Sequence, residues 1–274
     1  MPTLSVISGA YNLEGCFSFR GSVESVLCQS FTDFEYIICD DGSTDATYNI
    51  LKEFAERDGR IILLKNESNL GLAATLNRCI GESKGKFIAR HDCDDYSLPR
   101  RFEIQLSHLN EHPEIALVGS CSYLFDERGI FGISHFPRRV RAEDFLFSSP
   151  YQHGSVVFRR EILEMVGGYT VSPMTKRTED YELFMRIQAF AKGENLNEPL
   201  YCFLENEDTL KRRKYRYRID EARVRYRGFK ALGLLPRGLP YVIKPLAVGL
   251  IPREMLKKLR KSRRERTSFD KRND

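Results

Sequence analysis

Short apolar runs and amphipathic stretches alternate through the first ninety or so residues. Leu4-Ser5-Val6-Ile7 reads as a buried strand, after which Val23, Val26 and Leu27 recur at helical spacing. Phe34-Glu35-Tyr36-Ile37-Ile38-Cys39 reads as a second strand, and Leu51, Phe54 and Ala55 share a face of the helix after it. Ile61-Ile62-Leu63-Leu64 is the third strand, followed by a helix carrying Leu72, Leu76 and Ile80. Lys86-Phe87-Ile88-Ala89 is the fourth, ending at Arg90-His91-Asp92. Strands that alternate with helices need right-handed crossovers, so the pattern predicts an α/β fold with a mostly parallel central sheet and flanking helices. Further on, a helix is predicted between Pro99 and Pro113 (Phe102, Leu106 and Leu109 on one face). Strands are predicted near 115–125 and 155–158, and another helix over 179–191. There is no internal repeat. After about residue 205 the pattern becomes basic and helical, punctuated by Gly233, Pro236, Pro240, Pro245 and Pro252. The expected division is a body of residues 1–205 and a basic helical extension of residues 206–274.

In open sheets of this kind ligands bind at the carboxyl ends of the strands, near a switch in strand order. Polar clusters follow three of the predicted strands, at residues 8–12, 40–45 and 92–95. They are expected to converge on one cleft.

Charge adds a second feature. Residues 206–274 hold 22 Lys and Arg against 8 Asp and Glu, whereas residues 1–205 hold 21 against 30. An acidic body with a basic tail points to an anionic surface for the tail, either membrane or nucleic acid. In residues 251–261, Ile251, Met255, Leu256 and Leu259 fall on one helical face amid Arg253, Lys257, Lys258, Arg260 and Lys261. Such a helix can lie in a membrane interface; a solvated tail, or a helix packed on its own body, is the alternative. No stretch has the roughly 20 apolar residues that cross a bilayer, and no signal peptide is read at the start. The seven cysteines form no C-x-x-C pair, which favours reduced thiols in a cytoplasmic protein over disulfides or zinc.

Three constellations carry chemistry. Asp92-Cys93-Asp94-Asp95 sets three carboxylates at a strand end, where a hard divalent cation such as Mg or Mn would relieve their repulsion and could grip a diphosphate. The plainer reading is a solvated acidic turn. In Asp40-Asp41-Gly42-Ser43-Thr44-Asp45, Gly42 serves a turn and the residues after it a helix cap, but adjacent Asp40 and Asp41 are left over. A carboxylate there could accept a hydrogen bond from a nucleobase or ribose. Glu179-Asp180 opens a helix; it either complements the helix dipole or supplies a general base at a cleft edge.

Taken in order, these residues resemble family 2 glycosyltransferases of the bacterial, non-processive type. The resemblance runs over about residues 3–204. It is carried by Ala10-Tyr11-Asn12, Ser25-Val26-Leu27-Cys28-Gln29-Ser30-Phe31, the Asp40 to Asp45 run, Asn69-Leu70-Gly71-Leu72-Ala73 and Leu76-Asn77. Asp92-Cys93-Asp94-Asp95 with Pro99, His153-Gly154-Ser155, Phe158-Arg159-Arg160-Glu161, Gly167-Gly168-Tyr169 and Glu179-Asp180-Tyr181-Glu182-Leu183 continue it. It implies the GT-A fold, a divalent metal (Mn or Mg) and transfer of a sugar from a nucleotide-diphospho-sugar, by preference a UDP-sugar, to an acceptor hydroxyl with inversion. Carried over by residue, it implies that Tyr11 packs on the base (a strand-end packing role is the alternative), Asp41 hydrogen-bonds it, Asp92 holds the ribose or base side of the nucleotide, Asp94 ligates the metal and Asp180 is the general base. Glu179 and His153 are further candidates, His153 with a structural role as the alternative. The sequence departs from the family at Ser8-Gly9-Ala10, where Pro-Thr or Pro-Ala is usual. The Q/R-x-x-R-W motif of processive synthases is excluded, because the chain has no Trp. The expected setting is surface-polysaccharide or lipid-linked glycan synthesis, peripheral on the inner face of the plasma membrane, with a glycan or lipid-linked acceptor. Two other classes stay open: a sugar nucleotidyltransferase, against which the lack of Lys or Arg in residues 8–12 counts, and a nucleic-acid or scaffold protein using the basic tail, against which the acidic body counts.

Overall fold

The structure, a computed structural model, describes residues 1–205 and 215–250. Along the chain run β1 (Leu4–Ala10), α1 (Phe19–Leu27), β2 (Phe34–Asp40), α2 (Thr47–Arg57), β3 (Ile61–Lys65), α3 (Leu72–Glu82), β4 (Phe87–Arg90) and β5 (Tyr96–Ser97). They are followed by α4 (Arg101–Glu111), β6 (Ile115–Asp126), β7 (Gly129–Ser134), β8 (Val157–Arg159), α5 (Arg160–Val166), α6 (Glu179–Gln188) and β9 (Lys192–Leu204). Two helices, α7 (Tyr215–Ala231) and α8 (Leu239–Leu250), close the described part.

The strands form one sheet in the order β3-β2-β1-β4-β8-β6-β9-β5, with β7 paired to β6. The first four strands are parallel, as the helix alternation predicts. The sheet as a whole is mixed: β6 and β9 also run parallel, whereas β8 runs antiparallel to both β4 and β6, β7 to β6 and β5 to β9. The reason lies in the connections. β6 and β7 are joined by a tight turn at Glu127-Arg128, and the chain re-enters at β8 through short 3-10 turns (Ala142–Leu146 and His153–Ser155) instead of a covering helix.

Alternate residues of the central strands feed two apolar layers. Ile7, Ile37 and Ile88 face one, where they meet Leu76 of α3, Leu163 of α5 and Leu183, Phe184 and Ile187 of α6. Val6, Tyr36, Ile38 and Phe87 face the other, against Val23 and Val26 of α1, Leu51 and Phe54 of α2, and Phe102, Leu106 and Leu109 of α4. Each strand is therefore apolar on both sides, which is why these runs show no polar alternation.

Helix α7 packs on the first layer: Val224 and Phe229 are buried in it. Arg225 donates to the Leu146 carbonyl (3.0 Å) and stands 5.1 Å over the Tyr181 ring. Helix α8 runs through Pro245 where the sequence predicts a break, and Pro240 falls in its first turn, where a missing N–H costs little. The amphipathic stretch at 251–261 lies outside the described residues.

Candidate active site

β1 is flanked by β2 on one side and β4 on the other, so the order of strands reverses about it. At its carboxyl end lies a cleft of about 750 Å³. One wall is built from Gly9, Ala10, Tyr11, Asp41 and the start of α3; the other is the segment from Val171 to Glu179.

The strand-end loops are locked to one another. Asn12 Oδ1 accepts the Thr44 N–H (2.9 Å), Ser43 Oγ accepts the Asn12 N–H (3.0 Å) and Thr47 Oγ1 accepts the Leu13 N–H (2.7 Å). Gly42 turns the chain at φ +69°, and a Cβ there would stand 2.6 Å from the Ser68 backbone. Tyr11, 45% exposed, is left as a free aromatic face at the cleft mouth.

Asp41 is only 4% exposed. Its Oδ1 accepts from Asn66 Nδ2 (2.8 Å) and the Leu70 N–H (2.8 Å), and its Oδ2 from the Gly71 N–H (2.9 Å). Its evident work is to hold the turn that opens α3. A carboxylate has about four acceptor positions, so one remains toward the cleft.

The acidic segment after β4 rests on buried cationic and aromatic supports. Arg90, fully buried, forms an ion pair with Asp92, and the Tyr201 hydroxyl accepts the Asp92 N–H (3.0 Å). Asp95 points inward: its Oδ1 accepts the Leu204 N–H (2.7 Å), and burial pushes its carboxyl well above the ordinary range. Asp94 is pushed up to about 6, by burial first and then by the charge of Asp92. His91 stands behind the segment as a neutral ring, kept well below its usual pKa by burial and by Arg101 and Arg90. It bonds Ser22 Oγ at 2.9 Å and Ser97 Oγ at 3.1 Å.

At the start of α6, burial raises the Asp180 carboxyl, and the charge of Asp92 adds to the rise while Arg90 opposes it. The Asp92 and Asp180 carboxylates therefore lie within reach of each other's field. Glu179 lines the cleft itself; burial and Asp180 raise it, Arg177 lowers it, and its Oε2 has no hydrogen-bond partner. His153 does not line the cleft. Its Nε2 pairs with the Tyr169 hydroxyl (2.7 Å), its ring packs on Phe184, and burial holds it down to about 3, as suits a structural imidazole.

Of the residues singled out in the sequence, Tyr11, Asp41 and Glu179, up to 168 positions apart, line the cleft; Asp92, Asp94 and Asp180 are not among its lining residues, and Asp180 is linked to Asp92 by the charge each exerts on the other. Supports that the sequence left without a role are Arg90, Tyr201 and Asn77. Asn77 clamps the two walls together, donating to the Tyr169 carbonyl and accepting its N–H, both at 2.8 Å. Its place beside Leu76 in the quoted motifs was the signal for it.

A mixed α/β sheet with a cleft at the strand switch and an acidic segment at the end of β4 is the build of a GT-A glycosyltransferase. The chain belongs to glycosyl transferase family 2, whose model matches residues 5–167. It is 37% identical to EpsE of Bacillus subtilis (strain 168), which bears a glycosyltransferase name, over 96% of this chain and 94% of that one. It is 29% identical to the Escherichia coli UDP-Glc:alpha-D-GlcNAc-diphosphoundecaprenol beta-1,3-glucosyltransferase WfaP, over 73% of this chain and 77% of that one. In fold it is similar to S. aureus TarS 1-349 in complex with UDP-GlcNAc, with a TM-score of 0.70 and 18% identity, over 88% of this chain and 74% of that one. Family membership sets aside the nucleotidyltransferase and scaffold alternatives.

Proposed function

We propose that the protein transfers a sugar from a UDP-sugar to an acceptor hydroxyl with inversion at the anomeric carbon, and that Asp180 is the general base. The observation that carries this reading is that Asp180, at the start of α6 and next to the cleft-lining Glu179, lies close enough to Asp92, at the end of β4, for each carboxylate to feel the other's charge. In an in-line displacement the base would take the acceptor proton on one side while the diphosphate leaves on the other. The acceptor oxygen forms its bond to the anomeric carbon, the bond from that carbon to the phosphate oxygen breaks with its electron pair, and Asp180 receives the hydroxyl proton. Its raised pKa makes it a stronger base than a solvated aspartate. Tyr11 would stack on the base, the free acceptor position of Asp41 would meet a nucleobase N–H, and Asp92 would border the ribose.

A divalent cation fits the acidic segment. Among the described residues no set of three or more His, Cys, Asp and Glu side chains is disposed to enclose an ion. Mg and Mn, however, are commonly held by one or two carboxylates with substrate phosphates completing the shell. Asp94, pushed up to about 6 by burial and by the charge of Asp92, is a carboxylate such an ion would ionise. Asp94, with Asp92 beside it, would hold the metal, which would neutralise the departing diphosphate.

For the acceptor, we infer a lipid-linked glycan, in keeping with the acceptor in the name of WfaP. No helix among the described residues is long and apolar enough to cross a membrane. The basic residues of the extension would instead hold the protein on the anionic inner face, next to an acceptor that never leaves the bilayer.

The test is turnover of UDP-sugars with Mn, with and without lipid-linked acceptors, for the wild type and Asp180→Asn. The substitution should lower turnover by about 10²–10⁴ while UDP affinity stays within about twofold. Near wild-type turnover would remove Asp180 from the role of base.

A further inference from the structure

The donor cleft is short of positive charge on its strand side. Gly9, Ala10, Tyr11 and Asp41 line that wall, and the residues from Asn69 to Thr75 add only neutral side chains. Asp94 and Asp180 each feel the negative charge of Asp92, and the buried Arg90 charge is already engaged by Asp92. Among the described residues, the positive charge that lines the cleft comes from the opposite wall, from the consecutive residues Lys176 and Arg177. Both are exposed, and neither is taken up in a salt bridge with another described residue.

Their position is built. Thr175 is buried and its hydroxyl donates to the carbonyls of Thr170 (2.7 Å) and Ser172 (3.0 Å), while its own carbonyl accepts the Thr178 N–H (2.8 Å) and hydroxyl (3.1 Å). Between these anchors Arg177 takes φ +77°, a conformation that residues other than glycine seldom adopt. The turn is pinned on both sides of the cationic pair.

We propose that Lys176 and Arg177 bind the diphosphate of the donor nucleotide. This inference rests on the glycosyltransferase reading above and adds to it a pair of positioning residues that act on donor affinity. A nucleoside diphosphate seated with its base at Tyr11 and Asp41 carries two or three negative charges into a cleft already lined by the carboxylates of Asp41 and Glu179. Cations on the facing wall offset that charge, and the guanidinium of Arg177 can take two phosphate oxygens at once. A diphosphate on a lipid acceptor has the same chemistry. The pair is assigned to the donor because it shares its cleft with Tyr11 and Asp41.

The experiment is calorimetric binding of UDP, UMP, uridine and farnesyl diphosphate to the full chain, in EDTA and in Mn. The variants are Lys176→Met, Arg177→Gly and Arg177→Lys. Glycine adopts φ +77° without strain, so Arg177→Gly removes the charge and leaves the turn intact. Lys176→Met and Arg177→Gly should each weaken UDP about tenfold, as expected for loss of one charge-assisted hydrogen bond. UMP should weaken less, uridine should stay within about twofold, and Arg177→Lys should recover most of the loss. UDP affinity unchanged in both charge-removing variants, an equal loss for uridine, or a loss confined to farnesyl diphosphate would overturn the assignment while leaving the glycosyltransferase reading intact. A wild type that binds no nucleoside diphosphate in either condition would overturn both.

Discussion

Several carboxylates and imidazoles of this site do structural work that their sequence motifs do not advertise. Asp41 is the clearest case: three of its four acceptor positions are spent on Asn66, Leu70 and Gly71, so it fixes the turn before α3 in the same act that presents it to the cleft. His153 is another. In the unfolded chain an imidazole takes up a proton near 6.5, whereas in the folded protein burial holds His153 down to about 3. Between these values the unfolded state binds more protons, so the stability from this residue is complete above about pH 6.5 and drains away as pH falls. His91, also kept neutral, adds to the trend. We predict that moving from pH 7 to pH 5 costs the wild type about 1–2 kcal/mol more stability than it costs His153→Asn, which cannot titrate and can still bond Tyr169. Urea unfolding at the two pH values measures this. Parallel losses in the two proteins would mean that His153 titrates normally.

At the scale of elements, the cleft depends on a tie between α3 and the turn after α5. The reciprocal bonds between Asn77 and Tyr169 hold the Val171 to Glu179 wall against the strand-side wall. Gly168 beside them has φ +68°, and a Cβ there would come 2.6 Å from Asn77 Oδ1, so the tie leaves no room for a side chain. Asn77→Ala should cost about 1–3 kcal/mol of stability, speed amide exchange over residues 168–178 and weaken UDP binding. Unchanged exchange in that segment would show that the wall stands without the tie. Elements of this kind differ in how far the sequence reveals them. β1 to β4 and their helices were legible because burial on both faces makes unbroken apolar runs. β9 was not, since its first half, Lys192-Gly193-Glu194-Asn195-Leu196-Asn197-Glu198-Pro199, reads as a polar loop and owes its strand form to pairing with β6, with irregular register at Ser120 and Cys121. The acidic clusters themselves were legible from motif and strand end. Their supports were not: Tyr201 reaches Asp92 across 109 positions and Tyr169 reaches Asn77 across 92, distances over which local pattern carries no information.

For the molecule as a whole, the separation of charge along the chain sets how it would meet a surface. If residues 251–274 carry the protein to an anionic bilayer, a chain ending at Leu250 keeps the described fold and loses 10 Lys and Arg. The full chain should then sediment with vesicles of anionic lipid and far less with neutral ones. The shortened chain should lose most of that binding, at about 1 kcal/mol for each basic residue near the surface. Equal and negligible sedimentation of both chains would remove the membrane from the account. The packing of α7 gives such an attachment a direction. Arg225 is fastened to the Leu146 carbonyl and lies over Tyr181, the residue next to Asp180. An enzyme moored through this helix would not swing freely like a buoy on a line. Its cleft would ride at a set height and heading above the lipid, and the search for an acceptor would become a matter of drifting in two dimensions with the third already settled.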